Sequence, residues 1–283
     1  GATSCGHYFE APDDIDLAGV ISLDDVKARL RAGYVMLDQD ERHDAIISEA
    51  KKLATSQSCH LNEAQLGSYL ADIAGLVEWP TPLMGQIEDR FMVLPPELLQ
   101  ATIATHQKYI TLSDADGKFS SNFIVLSNRL GYAVRDKVII AGNQRVLRAR
   151  LADAEFFWQQ DQARQLETYL PALGDVTFYE GLGSIHDKAI RMEKLASAIA
   201  PQMPSANLKA ASRAARLAKA ELVTGMVGEF PEWQGIMGGY YTAASGEGKA
   251  VWDATTAHYR PQGPGDGLPP THPAKVVAAG EKS

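Results

Sequence analysis

The segment QKYITLSDADGKFSSNFIVLSN, residues 107–128, carries the clearest strand signal in the chain. Two runs of aromatic and β-branched residues, which are enriched in strands, flank the sequence Asp-Ala-Asp-Gly at residues 114–117. Asp and Gly are typical turn residues, because their backbones tolerate the dihedral angles that tight turns require. The segment therefore predicts an antiparallel hairpin that turns between Asp114 and Gly117.

The sequence before and after this hairpin mixes helix and strand signals. Apolar residues recur at helical spacing in DERHDAIISEAKKLA (40–54), and the short run GYVML (33–37) is rich in strand-forming residues. After the hairpin, the sequence predicts a helix through 150–170 that runs up to Pro171. Residues 1–171 are therefore predicted to form an α+β region.

Beyond residue 171 the strand signal fades. Ala-rich helical segments are predicted at 184–200, 206–227 and 249–258, and a Pro/Gly-rich connector follows at 260–273. The final segment, AKVVAAGEKS, begins another helix that we expect to be cut short by the end of the chain. We place a boundary between 171 and 183 and expect 172–283 to be an all-α domain.

The composition is typical of a soluble globular protein. The chain has 283 residues, of which 45% are apolar and 22% charged. No stretch approaches the roughly 18 consecutive apolar residues of a membrane span, and no export leader is visible at the start. Two cysteines, Cys5 and Cys59, are too few for a disulfide framework. We therefore expect a protein that is cytoplasmic and not bound to a membrane.

Positive charge is concentrated in two parts of an acidic chain. The net charge of −8 argues against coating nucleic acid by bulk electrostatics, but 129–150 and 188–219 are each strongly basic. Written as a helix, 206–222 places four cations at steps of four, three and three, opposite an apolar stripe. A phosphate-binding surface and an ordinary solvated helix face both explain this pattern. The candidate phosphate-binding residues are Lys209, Arg213, Arg216, Lys219, Arg145 and Arg148.

The arginines that precede residue 153 also suit a structural role. Arg145, Arg148 and Arg150 lie close to Asp153 and Glu155 in the sequence. Because arginine forms bidentate pairs with carboxylates, we expect one of these acids to hold at least one of the three arginines.

Most sequence motifs of catalysis are incomplete here. SGEGKAV (245–251) lacks the first glycine and the Ser/Thr of a phosphate-binding loop, and GLGSIH (181–186) lacks the third glycine of a dinucleotide fingerprint. Two Cys/His pairs, at 5–7 and 59–60, match the spacing of structural zinc sites poorly. The pair His186-Asp187 leaves an HD-type metal-dependent phosphohydrolase as an alternative function. We predict no catalytic residue and no metal site.

The segment TGMVGEFPEWQGIMGGYY, residues 224–241, predicts a packed joint between helices. An apolar helical face continues through Leu222, Met226 and Phe230, and Pro231 is expected to end that helix. The glycines that follow permit close backbone approach, and large side chains at 233, 237 and 241 fill the space beneath. Two acids in this segment, Glu229 and Glu232, suit helix caps or ion pairs better than acid/base chemistry.

Several segments together resemble one family, in order along nearly the whole chain. They are CGHYF (5–9), LVEWPTPLMG (76–85), LPPELLQATIATHQKYITL (94–112), NFIVLSN (122–128), GNQRVLRARLADAEFFWQQD (142–161), LGSIHDKAIR (182–191) and AKAELVTGMVGEFPEWQGIMGGYYTAASGE (218–247). The last of these is the most specific. The family is the beta subunit of the bacterial heterotetrameric glycyl-tRNA synthetase.

The resemblance implies a B3/B4-like α+β region followed by an HD-like helical domain. It implies that the alpha subunit, with ATP and Mg²⁺, adenylates and transfers glycine, while the beta subunit grips tRNA(Gly). This chain would then be an internal, non-catalytic tRNA-binding and assembly portion of the beta subunit, with no cofactor of its own. Tyr8 and Gly239 stand where the family usually has basic residues, which removes two possible phosphate contacts. A third alternative is a purely structural module that contacts only the alpha subunit.

Overall fold

The computed structural model describes residues 2–67, 69–203 and 207–283, and it has the α+β architecture that the sequence predicts. The chain forms two compact units, Gly1–Asp153 and Ala154–Ser283. The division lies within a long helix, earlier in the chain than the boundary expected after residue 171.

The first unit combines short helices with an antiparallel sheet. Its elements are β1 (Thr3–Cys5), β2 (Asp14–Asp16), α1 (Leu23–Ala32), α2 (Gln39–Ser56), β3 (His60–Leu61), α3 (Glu63–Gly67), α4 (Leu70–Gly75), β4 (Pro80–Gln86), α5 (Pro96–Gln100), β5 (Ile110–Ser113), β6 (Phe119–Asn128) and most of α6 (Ala133–Gln162). The main sheet has the order β3-β5-β6-β4, and β1 pairs with β2 separately. Pro80 and Pro82 lie in β4, an edge strand, where a missing N–H does not interrupt the ladder.

The predicted hairpin is confirmed. Strands β5 and β6 pair antiparallel, and the chain turns at 114–117. The Asp114 carboxylate accepts hydrogen bonds from the backbone N–H groups of Asp116 and Lys118, at 3.0 and 2.8 Å. Gly117 has a φ of 77°, a conformation that glycine adopts without steric penalty.

The core of the first unit lies between α2 and this sheet. Ile46 and Ala50 on the predicted helix α2 are fully buried and belong to one apolar cluster with Ile110, Leu112 and Ile124 of the hairpin. The strand expected at 33–37 is wrong, because α1 ends at Ala32 and Tyr34 adopts a positive φ of 59°. An extended strand cannot pass through that conformation.

The helix observed in this region begins and ends earlier in the chain than the helix expected over 150–170. The observed helix α6 begins at Ala133 and ends at Gln162, and Pro171 lies inside a separate 3₁₀ helix, Leu166–Asp175. This 3₁₀ helix packs against residues 185–199 and 220–223 of the second unit. Residues 154–171 therefore belong with the helical part of the chain rather than with the α+β part.

The second unit is mainly helical, but it is not the all-α domain that was expected, because two short strands at 177–179 and 183–184 pair antiparallel. Its elements after α6 are β7 (Thr177–Tyr179), β8 (Gly183–Ser184), α7 (Ile185–Ile199), α8 (Leu208–Leu217), α9 (Gly225–Glu229), α10 (Ile236–Ala244), α11 (Lys249–Ala257) and α12 (His272–Glu281). The helices predicted at 184–200 and 249–258 correspond to α7 and α11. The helix predicted at 206–227 breaks after Leu217, and a short 3₁₀ turn (Ala220–Val223) separates α8 from α9. Residue 206 lies outside the described residues.

The glycine-rich segment forms the packed joint that the sequence predicts. Trp233, Met237 and Tyr241 are buried. A Cβ on Gly239 would lie 2.0 Å from Oγ1 of Thr256 in α11, so only glycine allows this approach. The continuous helical face expected up to Pro231 is interrupted, because Thr224 begins a new short helix that ends at Glu229.

Across the described ranges, no helix is both long enough and apolar enough to cross a membrane.

Candidate functional site

Helix α8 separates an apolar side from a cationic side, as the sequence predicts. Asn207 caps its first turn by accepting a hydrogen bond from the backbone N–H of Ala210. The alanines of α8 are buried, whereas Lys209 and Arg216 are exposed and Arg213 is partly exposed. Leu208, the first residue of α8, is 43% exposed. The cations line an open groove of about 520 Å³ between α7 and α8.

Carboxylates hold both arginines of this groove. Arg213 donates from Nε to Glu247 at 2.8 Å and from Nη2 to Glu167 at 2.9 Å. Arg216 donates to the same Glu167 at 3.3 Å and to Glu193 at 3.4 Å. The two guanidinium groups lower the pKa of Glu167, with the hydrogen bond from Arg213 as the largest cause. The arginines are therefore fixed in position, and much of their charge is neutralised locally.

Lys209 differs from these two arginines. Within the part of the chain that the structure describes, no carboxylate forms an ion pair with its ammonium group. It is therefore the cation of the groove with the most charge available for an external phosphate.

Lys219 does not lie on this surface, although helical spacing placed it at the edge. Helix α8 ends at Leu217, so the chain turns and the Lys219 side chain points inward, where the residue is only 2% exposed. Its Nζ lies 2.8 Å from Oε2 of Glu281 and 3.1 Å from Nε2 of His258, and 3.9 Å from the centre of the Tyr259 ring. Burial lowers the pKa of Lys219 to about 8, although Glu281 opposes the shift. A phosphate in solvent cannot reach this group.

The candidate arginines of α6 have different environments. Arg148 forms an ion pair with Glu88, which also binds Arg90. The acid lies 60 residues earlier in the chain, whereas Asp153 or Glu155 was expected to hold one of these arginines. Arg145 is exposed on the outer side of α6.

The pair His186-Asp187 serves the start of α7. The Asp187 carboxylate accepts hydrogen bonds from the backbone N–H and the hydroxyl of Ser184, and the Ser184 hydroxyl accepts one from the N–H of Asp187 at 3.2 Å. This reciprocal arrangement is a capping box. In residues 2–67, 69–203 and 207–283, no group of three or more His, Cys, Asp or Glu side chains is close enough to hold a metal ion.

The Cys/His pairs near the N-terminus are also explained by protein contacts. The ring of buried His7 lies 2.9 Å from the carbonyl oxygen of Asn128, and the sulfur of buried Cys59 lies 3.3 Å from the Ser120 hydroxyl. Cys5 is exposed.

Two buried acids, Asp161 and Glu221, were not among the residues predicted from the sequence. Asp161 accepts hydrogen bonds from the N–H groups of Gly225 and Met226 at 2.8 and 2.9 Å, and from the Tyr241 hydroxyl at 2.7 Å. Glu221 accepts hydrogen bonds from the N–H groups of Gly235 and Gly238 at the start of α10. Burial raises the pKa of Glu221 to about 7. Both carboxylates accept hydrogen bonds from backbone N–H groups of the glycine-rich joint and so stabilise it. The Pro and Gly residues of this segment indicate a backbone that leaves regular helix, whose N–H groups then need hydrogen-bond acceptors from elsewhere.

Comparisons with a family profile and with individual curated proteins identify the same family. The sequence profile of the family described as glycyl-tRNA synthetase beta subunit matches residues 1–283. Curated proteins named glycine–tRNA ligase beta subunit from Rhodospirillum centenum and Phenylobacterium zucineum are 43% and 42% identical to the whole chain. A protein of the same name from Paracoccus denitrificans is 42% identical over 285 residues. The chain spans 39–42% of the length of these relatives.

Proposed function

Because the chain belongs to the glycyl-tRNA synthetase beta-subunit family, we propose that it is a non-catalytic tRNA-binding and assembly portion of that cytoplasmic enzyme. The observation that carries this proposal is the family match over all 283 residues, with relatives above 40% identity that are named as ligase subunits. In this proposal the alpha subunit ligates glycine to tRNA(Gly) with ATP and Mg²⁺, within a heterotetramer, and this part of the beta subunit positions the tRNA.

The groove between α7 and α8 is the RNA contact that we favour. A rigid helix that presents spaced cations suits the phosphates of an RNA stem, and such contacts orient a duplex without reading its sequence. Carboxylates already orient Arg213 and Arg216, and Lys209 lies exposed near them. Lys219 is not part of this contact, because it is buried.

The test replaces Lys209 with Gln in the full-length beta subunit of the complete enzyme. Lys209 forms no ion pair in the described structure, so the replacement removes a charge without leaving a carboxylate unpaired. We expect weaker tRNA binding and a slope of log K against log salt that is shallower by about 0.9, the value for one phosphate contact on a duplex. The matched control is Lys118→Gln, at the exposed tip of the β5–β6 hairpin, which we expect to leave both quantities unchanged.

Two results would count against the proposal. If Lys209→Gln and Lys118→Gln both bind tRNA like the parent enzyme, the α8 surface is only solvated. If the beta chain binds the alpha subunit but has no measurable affinity for tRNA, this part of the enzyme is a purely structural module.

A further inference from the structure

Helix α6 has apolar residues on two opposite sides. Leu147 and Leu151 face the interior and are almost completely buried, at 1% and 0% exposure. On the other side, Val134 and Val138 are 82% and 68% exposed. A surface helix normally carries polar residues on its outer side. Valine also forms helices less readily than Lys, Glu or Ala, so an exposed valine stabilises the helix less than any of these residues would.

These exposed residues form a continuous surface. At 100° per residue, five exposed residues of α6 lie within about 40° of one line along the helix. The line extends over about 23 Å, at 1.5 Å per residue. We call this surface the α6 outer stripe, and it consists of Val134, Val138, Ala141, Arg145 and Ala149. Contiguous exposed apolar surface of this kind is typical of a protein contact.

The charges around the stripe restrict what covers it. Exposed Arg145 lies in its centre, and exposed Lys137 lies about 80° to one side of it. A second copy of the same surface would bring these cations together, which is unfavourable. A covering chain with carboxylates beside its apolar residues would instead pair with them.

RNA is a poorer match to the same surface. Phosphates would leave Val134 and Val138 in contact with water or with charge, because the sugar-phosphate backbone has no apolar surface of comparable extent. Base stacking requires a free aromatic ring, and residues 134–149 contain no aromatic residue. Further along the same helix, Phe156 is 60% exposed, but its ring packs edge-on against Phe157 with the ring centres 5.3 Å apart. The nearest aromatic residue before the helix, Tyr132, already has the Arg135 guanidinium 4.7 Å from its ring centre.

We propose that the α6 outer stripe is the docking surface for an amphipathic, acid-flanked helix of the alpha subunit. The inference rests on the proposed function, since a beta subunit implies a partner subunit in the same enzyme. Small residues at 141 and 149 allow a partner helix to approach to the 8–10 Å axial separation that is usual for packed helices. Arg145, a candidate RNA contact from the sequence, is thereby assigned to a protein contact.

The test measures association of the alpha subunit with full-length beta subunit that carries Val138→Asp. We expect the dissociation constant to rise at least about tenfold, because the new carboxylate would be buried against an apolar partner without a hydrogen-bond donor. Arg145→Glu should weaken association as well, because it would repel the carboxylates of the partner helix. The matched control is Ile21→Asp, which introduces the same charge at a loop residue that is 93% exposed. We expect association of this control to match the parent.

Three outcomes would overturn the inference. The first is an unchanged dissociation constant for both Val138→Asp and Arg145→Glu. The second is a loss of tRNA affinity with normal subunit association, which would assign the stripe to RNA. The third is a lower melting temperature of the isolated full-length Val138→Asp chain relative to Ile21→Asp, which would show that the beta subunit covers the stripe itself. Weaker subunit association in a chain with no tRNA affinity would support the docking surface while contradicting the proposed RNA contact.

Discussion

At the scale of single residues, His258 is the buried group whose ionisation most directly affects folding. It is fully buried and lies between the Thr255 carbonyl oxygen and the Lys219 ammonium group. Lysine can only donate, so Nε2 accepts its hydrogen bond and Nδ1–H donates to Thr255. Burial, followed by the nearby charge of Lys219, holds the pKa of His258 well below its usual value of 6.5.

This environment predicts acid sensitivity. Below about pH 6.5 the unfolded histidine takes up a proton that the folded one does not, so the free energy of unfolding falls as pH falls, by at most about 1.4 kcal/mol per pH unit. Glu221 acts in the opposite direction between its usual value of 4.5 and its raised pKa of about 7. We therefore expect His258→Gln to remove the histidine contribution, and urea unfolding of variant and parent at pH 5–7 measures the difference in slope.

The control for this experiment is His60→Gln, since His60 is exposed. Equal pH slopes for His258→Gln and the parent would show that His258 does not titrate on unfolding in this range.

At the scale of secondary-structure elements, the start of α9 depends on one carboxylate from another helix. Asp161 satisfies two N–H groups that have no partner within α9, and it also accepts the Tyr241 hydroxyl. Asp161→Asn would direct an amide NH₂ group toward one of these donors. We expect the free energy of unfolding to fall by about 2–4 kcal/mol, because a charge-assisted hydrogen bond is lost and a buried donor remains unpaired.

Urea denaturation of the two chains measures this difference. The matched control, Asp153→Asn, removes the same charge from an exposed position on the same helix, and its effect should stay within about 0.5 kcal/mol. Equal losses for the two variants would contradict the structural role of Asp161.

At the scale of the whole molecule, the net charge of −8 means that any attraction to RNA comes from local surfaces. Joint replacement of Lys209, Arg213 and Arg216 by Gln should weaken tRNA binding by the complete enzyme and reduce the salt slope by at most about 2.7. Glycine activation by the alpha subunit should stay intact. Filter binding over a range of KCl concentrations measures the slope.

A charge change of opposite sign controls for this loss. Glu167→Gln removes a carboxylate that binds both Arg213 and Arg216, so it should strengthen tRNA binding at low salt. Parent-like affinity in both variants would place the RNA contact elsewhere.

Local signals were sufficient for much of this fold. The turn residues at 114–117 determined the β5–β6 hairpin, and periodic alanines determined the buried side of α8, because hydrogen bonding and helical spacing act over a few residues. The glycines after Pro231 predicted a tight joint for the same reason, since they mark places where a side chain would not fit.

Contacts between residues far apart in the chain decided the features that local sequence patterns could not predict. The sequence pattern predicts one helix over 206–227, but α8 ends at Leu217 and the side chain of Lys219 points inward. A new helix, α9, begins where the Asp161 carboxylate accepts hydrogen bonds from the N–H groups of Gly225 and Met226. Arg148 pairs with Glu88, 60 residues earlier in the chain, so local spacing could not predict this pair either. The sequence by itself determined the β5–β6 hairpin, the helices at 184–200 and 249–258, and the cationic side of α8. Which cations remain available to a partner was decided only by folding, because pairing and burial depend on groups far apart in the chain.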